Sequence, residues 1–291
     1  MTDHPRVPLV WVDAFCDGPF TGNPAAVCLL ERPAPATAMQ LLAFEIGVSE
    51  TAFVWPDGDG FALRWFTPAA EVDLCGHATV AAAHALEGSG QFAGGRTRFS
   101  TRSGALEATV DGEEIEIDLP SESPEPIDPP SQLATRWPVV RAATGRFDLL
   151  VELDDEEAVR RVDPSVVDLE RLAYRGISVT ARGQGSPGKP VPPQGPPRGS
   201  AGGEPDYVLR FFAPRVGVPE DPVTGSAQCL LGPYWATRLG RTQLRAVQLS
   251  ARGGALKVRV GTGRVGVGGR AVTILHGEVT GDAARALLAA P

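Results

Sequence analysis

Apolar residues in PLVWVDAF, from Pro8, form a short β-type run, and a turn rich in Gly, Asn and Pro (CDGPFTGNP) feeds a second apolar run, AAVCLL. This pattern predicts a strand, a wide turn and a returning strand. In ATAMQLLAFEIGVSETAFVW, Met39, Leu42, Ala43 and Ile46 share one helical face, so a helix is expected to stop at Gly47, with a strand resuming at Thr51. Glu50 then falls in the connection between them. FALRWFTP reads as a strand closed by Pro68, and HATVAAAHALEGSG as a helix of high intrinsic propensity ended by Gly88 to Gly90. TRFSTRSGALEATVDGEEIEIDLP alternates as a pair of antiparallel strands about Asp111-Gly112, a two-residue hairpin signal.

PSESPEPIDPP, residues 120–130, is rich in Pro and acids and is expected to be an interdomain linker. RFDLLVEL then reads as a strand, DDEEAVRRV as a helix with acids in its first turn, and YRGISVTA as a strand. The Pro/Gly-rich stretch 182–206 predicts an exposed, mobile loop, because so few apolar side chains cannot offset the entropy of ordering it. YVLRFFAP, a helix through Arg238 and several late strands complete an α+β pattern. The expected division is an N-terminal α+β domain over 1–125 and a C-terminal one over 126–291, with the last strand or helix returning to the first domain.

The two halves echo each other. Phe66-Thr67-Pro68 followed by Cys75-Gly76-His77-Ala78 and a helix is matched by Phe212-Ala213-Pro214 followed by Thr224-Gly225-Ser226-Ala227 and a helix. A duplicated unit is the simplest reading. A helix start exposes unpaired N–H groups and the positive end of the macrodipole, and glycine there lets the backbone approach a small carboxylate or phosphate.

Composition narrows the chemistry. The chain of 291 residues is 43% apolar and 21% charged, with no window near the roughly 18 apolar residues of a membrane span. No signal-peptide pattern opens it, and a cytoplasmic protein is expected. A net charge of −8 without a Lys/Arg cluster argues against nucleic acid and for a small-molecule partner. The four cysteines form no C-x-x-C pair, which excludes a disulfide framework and a structural zinc site. His77 and His84 lie on one helix about 10 Å apart along its axis, too far for one metal ion. His77 in a first helical turn should stay neutral, because the dipole disfavours imidazolium. Taken singly, His77 reads equally as a packed histidine, Glu50 as a solvated loop carboxylate, Asp221 as a turn former, and Cys75 and Cys229 as small buried apolar residues.

Taken together, VDAFCDGPFTGNPAAVCLL, GVSETAFV, FTPAAEVDLCGHATVAAAHAL, DPVTGSAQC, PYWATRLGR and QLSARGGALKV resemble the PhzF-like family, named for the phenazine-biosynthesis isomerase, in the family's order over most of the chain. The resemblance implies a diaminopimelate-epimerase-like fold: two similar α+β domains, each a curled sheet around a central helix, with the active site in the interdomain cleft. It implies Glu50 as the proton-moving base with His77 and Asp221 assisting. Asn23, Gly76, Thr224, Gly225 and Ser226 would bind a small carboxylate-bearing substrate, and Cys75 and Gln228 are further candidates. Neither metal, nicotinamide nor pyridoxal is implied, and a homodimer is expected. Many members carry a histidine where this chain has Gln228, so an amide is expected to replace it in the site's polar lining. Two other functions fit the same fold. One is a thiol epimerase or racemase using Cys75, whose second thiol position is occupied by Thr224; the other is a non-catalytic small-anion-binding protein.

Overall fold

In a computed structural model that describes residues 5–92, 94–183 and 203–290, the first apolar run becomes β1 (Arg6–Ala14), with Val7, Val10 and Val12 buried. β2 (Asn23–Leu29) returns antiparallel to it. α1 (Ala36–Ile46) ends at Gly47, whose left-handed φ of 71° lets its N–H cap the Ala43 carbonyl. The chain then enters β3 (Glu50–Asp57), parallel to β2, so Glu50 is the first residue of a strand rather than part of a connection. β4 (Gly60–Phe66) is antiparallel to β3, and β5 (Glu71–Val72) folds back on the end of β4.

α2 (Gly76–Gly88) crosses to β6 (Gly95–Thr101), which runs parallel to β4. Its residues are buried almost all round, as a core helix requires, and its alanines let β1, β2, β3 and β7 (Gly104–Asp111) pack close. β8 (Glu114–Pro120) follows the Asp111-Gly112 turn. The expected pair of strands here is three, because Arg102-Ser103-Gly104 makes a second turn with φ of 107° at the glycine. On the other face of the sheet, Met39 and Ala43 of α1 pack with Cys28, Phe53 and Phe66. Leu42 and Ile46 are only half-buried, while Leu41 and Phe44 are exposed.

Residues Met1–Asp118 and Gly268–Pro291 form one compact unit, and Leu119–Val267 the other. The second unit begins with β9 (Glu125–Ile127), so the stretch read as a linker joins a sheet, antiparallel to β10 (Val139–Thr144). The one proline of β9, Pro126, is tolerated because a strand of three residues needs few ladder donors. Between them lies α3 (Ser131–Ala134). β11 (Asp148–Leu153), α4 (Glu156–Arg160) and β12 (Gly176–Arg182) form a βαβ crossover with parallel strands, and the Asp155 side chain caps α4 through the Ala158 N–H at 2.7 Å. Most of the Pro/Gly-rich stretch, 184–202, lies outside the described residues.

β13 (Tyr207–Ala213) is antiparallel to β12, and β14 (Val218–Asp221) folds back on it. α5 (Gln228–Leu239) then crosses to β15 (Gln243–Gln248), parallel to β13, and β16 (Gly254–Val260) returns. The sequence echo is therefore a repeated topology: strand, short fold-back, helix, parallel strand. β17 (Arg264–Thr280) carries the chain back to the first unit, where Ala271–Thr280 pairs with the whole of β1. α6 (Gly281–Leu287) closes the outer core with Ala284 and Leu287.

Candidate functional site

In the first unit the beginnings of three elements meet: Asn23 opens β2, Glu50 opens β3 and Gly76 opens α2. The turn before Asn23 is tight. Gly22 has φ of 76°, and a Cβ there would stand 2.4 Å from the Ala14 carbonyl oxygen, so only glycine fits. Cys75 is extended (φ −144°, ψ 113°) at the helix N-cap, and its carbonyl accepts from Thr79 Oγ1 at 2.6 Å.

His77 Nε2 stands 3.1 Å from Glu50 Oε2, with side-chain exposures of 5% and 16%. The Oε2 atom is sealed from solvent and has no hydrogen-bond donor in line, so this close approach is a charge contact with a carboxylate oxygen left open. The other imidazole nitrogen, Nδ1, is 3.1 Å from Asn23 Nδ2 and 3.6 Å from Cys75 Sγ. Ser49 Oγ donates to Asn23 Oδ1 at 3.3 Å.

Burial lowers the proton affinity of His77, but Cys75 and Glu50 more than offset it, and its pKa stands well above the ordinary histidine value. This direction runs against the expectation drawn from the helix terminus alone, which left out the acids beside the ring. The Cys75 thiol is pushed up, first by burial and then by the Glu50 charge. Among the described residues, Glu50, Cys75 and His77 form one group of three metal-ligand-type side chains, with ligand atoms within 4.8 Å of one another. The thiol would have to lose its proton to ligate. His84 plays no part in the group; its Nε2 pairs with Thr273 Oγ1 at 2.9 Å.

The second unit holds the other candidates. Asp221 ends β14 and its Oδ2 accepts from Thr224 Oγ1 at 2.5 Å. Two buried glutamines clamp this turn. Gln248 accepts from the Thr224 N–H at 2.8 Å and donates to the Asp221 carbonyl at 2.7 Å and to Thr224 Oγ1 at 3.2 Å. Gln228 accepts from Tyr207 Oη at 2.5 Å and donates to the Thr224 carbonyl at 3.3 Å. Ser250 Oγ donates to the Pro222 carbonyl at 2.6 Å. Gln228 is fully buried with both ends of its amide used, so it braces the turn and does not form a polar lining. The carbonyls of Gly225 and Ser226 accept from the first N–H groups of α5, each at 3.1 Å, and Arg175, paired with Asp148, donates to Ser226 Oγ at 3.4 Å.

The structure thus groups Asn23, Glu50, Cys75, Gly76 and His77 on the first unit, and Asp221, Thr224, Gly225, Ser226 and Gln228 on the second. Ser49, Arg175, Tyr207, Gln248 and Ser250 were not singled out from sequence. A signal existed for three of them, since Ser49 lies in GVSETAFV and Gln248 and Ser250 in QLSARGGALKV.

A family model described as phenazine biosynthesis-like protein (PhzC-PhzF) matches residues 12–277. The chain belongs to this family. A Halalkalibacterium halodurans protein named an uncharacterized isomerase is 43% identical over 276 residues, 94% of this chain and 98% of that one. The crystal structure of an Enterococcus faecalis PhzF-family protein matches with a TM-score of 0.84 at 39% identity, covering 94% of this chain and 99% of that one. A hydroxyproline epimerase from Agrobacterium vitis matches with a TM-score of 0.58 at 12% identity, over 95% and 93% of the two chains, a likeness of fold alone. The PhzF-like chain is an isomerase of α+β, epimerase-like fold. Among its described residues no helix is long and apolar enough to cross a membrane.

Proposed function

We propose that this isomerase moves a proton at a carbon activated by a carboxylate or a conjugated system, without a cofactor, in small-molecule or secondary metabolism. The observation that carries the reading is the solvent-sealed Glu50 Oε2, open to a proton and 3.1 Å from His77 Nε2. A carboxylate with one undonated oxygen abstracts a proton, and a neighbouring imidazole takes it up or returns it. Asp221 is assigned the second proton-handling role and the Gly225–Ser226 helix start the substrate carboxylate, for which backbone N–H groups suit a chain of net charge −8. The enzyme acts as a cytoplasmic homodimer on a small carboxylate. The four free, buried cysteines suit a reducing compartment.

A thiol epimerase fits less well. The Cys75 thiol is pushed up rather than down, and the hydroxyl at the second thiol position, Thr224, is already engaged with Asp221 and Gln248. Solvent-deuterium exchange into small unsaturated and amino carboxylic acids separates the two. Exchange should persist in Cys75→Ser and vanish in Glu50→Gln, and the opposite pattern would replace this reading with the thiol mechanism.

A further inference from the structure

Three side chains of the first unit bring metal-ligand-type atoms together. Glu50 comes from the start of β3, and Cys75 and His77 from the N-cap and first turn of α2, so a strand and a helix packed on each other hold the set. Glu50 Oε2 is 3.1 Å from His77 Nε2, Cys75 Sγ is 4.0 Å from the same nitrogen, and a ligand atom from each residue lies within 4.8 Å of the others. A hydrogen bond places its acceptor on the line of the N–H. Glu50 Oε2 stands close to Nε2 but off that line, and it takes no hydrogen bond from the described residues. Two ligands of one ion are related in this way, because the ion takes the nitrogen's lone pair and the oxygen lies to its side. Ligands of a tetrahedral zinc-class ion stand about 3.3–3.6 Å apart, so the oxygen and nitrogen are already near that spacing, and the sulfur has about 1 Å to travel by a small turn about its Cα–Cβ bond.

We propose that Glu50, Cys75 and His77 together bind one divalent cation of the zinc class, and that the bound ion blocks the isomerase reversibly. Thiolate sulfur, imidazole nitrogen and carboxylate oxygen are the donor set of such an ion, whereas a hard cation such as Mg²⁺ takes oxygen alone. The exchange balances in protons and charge. The Cys75 thiol releases its proton to become a thiolate, the His77 imidazolium releases the one on Nε2 to become a neutral ligand, and Glu50 binds through its carboxylate. Two protons leave for solvent and one dication enters, so the buried charge is unchanged and no electron moves. The ring keeps its hydrogen on Nδ1. The amide of Asn23, 3.1 Å away, can turn its oxygen to meet that hydrogen, because the Ser49 hydroxyl can accept from the amide as well as donate to it. The block rests on the assignment of Glu50 as base and His77 as its partner: an ion on Oε2 and Nε2 occupies both positions between which the proton moves. Cys75, idle in that chemistry, gains a part in switching it off.

The test is titration of the full chain with Co²⁺, which stands in for Zn²⁺ because a cobalt ion bound to a thiolate absorbs in the near ultraviolet. The native chain should develop a thiolate-to-metal band that saturates at one ion per chain, disappears when Zn²⁺ is added and is untouched by Mg²⁺. Cys75→Ser should lose the band. Glu50→Gln should keep the band but bind the ion roughly tenfold or more weakly, which covers the case in which Cys75→Ser does not fold. No band in the native chain, a band of native strength in Cys75→Ser, or native affinity in Glu50→Gln overturns the proposal. With a substrate that exchanges deuterium, Zn²⁺ should abolish exchange in the native chain and a chelator should restore it. Cys75→Ser should need roughly tenfold or more Zn²⁺ for the same fractional loss. The band is read without substrate, so its absence sinks the metal site and leaves the assignment of Glu50 standing. A native chain that holds the ion and still exchanges overturns the block, and it does so by removing Glu50 from the mechanism.

Discussion

The hydroxyl of Thr224 donates to the carboxylate of Asp221 at 2.5 Å and accepts from Gln248 Nε2 at 3.2 Å, so one small side chain ties a candidate catalytic acid to a buried glutamine. Thr224→Val keeps the shape and removes both bonds. Each orphaned partner costs about 1–3 kcal/mol when buried, and the Asp221 end is partly open to water, so a loss near the bottom of that range is expected in urea unfolding. Deuterium exchange should fall roughly tenfold through the misplaced carboxylate, with the larger share in kcat.

Glu50→Gln should lower the exchange rate by roughly 10²–10⁴, the usual contribution of a positioned general base. The urea midpoint should fall only modestly, because the amide fills the same volume and what is lost is the charge contact with His77. A variant that exchanges at the native rate would remove Glu50 from the mechanism.

All four thiols are buried, and burial is the largest cause of each upward shift, to about 11 for Cys16 and about 12 for Cys229, with Cys28 and Cys75 also raised. Ellman's reagent at pH 8 should therefore find no reactive thiol in the native chain and four after unfolding. The linkage has a definite sign. Above the ordinary thiol value of 9.0 the unfolded chain releases protons that the folded chain retains, so stability should decline as pH rises past 9.0.

Glu71 lies under two arginines. Arg64 grips both its oxygens, at 2.6 and 2.7 Å, and Arg102 adds a third contact at 2.7 Å. The bonds from Arg64 hold its carboxyl below the ordinary value of 4.5, against the cost of burial. A lowered folded pKa contributes stability above 4.5 that is lost as pH falls through the folded value. Glu71→Gln should cost about 1 kcal/mol at pH 7, modest because the cluster is partly solvated, and progressively less under acid. A cost independent of pH would show that packing, not charge, is what Glu71 supplies.

Much of the first unit was legible because its signals are local. Alanine propensity and terminal glycines marked α2, the glycine stop marked the end of α1, and Asp111-Gly112 marked a turn. The misreadings have local causes too. Prolines at 124 and 126 suggested a linker, yet a short strand accepts Pro126 and starts just after Pro124, and the single hairpin signal hid a second turn at Gly104. Glu50, His77 and Asp221 could be chosen as candidates from their motifs. Their support could not be read in this way: Asn23, Ser49 and His77 meet only after the parallel crossover through α1 and the antiparallel return of β4, and Gln248 reaches Thr224 from beyond α5 in the chain. Hydrogen bonds between residues so distant in sequence leave no periodic trace.

The path of β17 dictates an order of manufacture. A ribosome makes β1 first, but the residues that cover its edge, Ala271–Thr280, emerge only after all of Leu119–Val267 has been made. Throughout that interval the nascent chain carries an uncovered row of backbone donors and acceptors at Arg6–Ala14, a surface prone to pairing with other chains. The second unit is contiguous apart from this wait and has its strands in hand earlier. A chain stalled before Ala271 would therefore be left with an intact middle and an unfinished beginning.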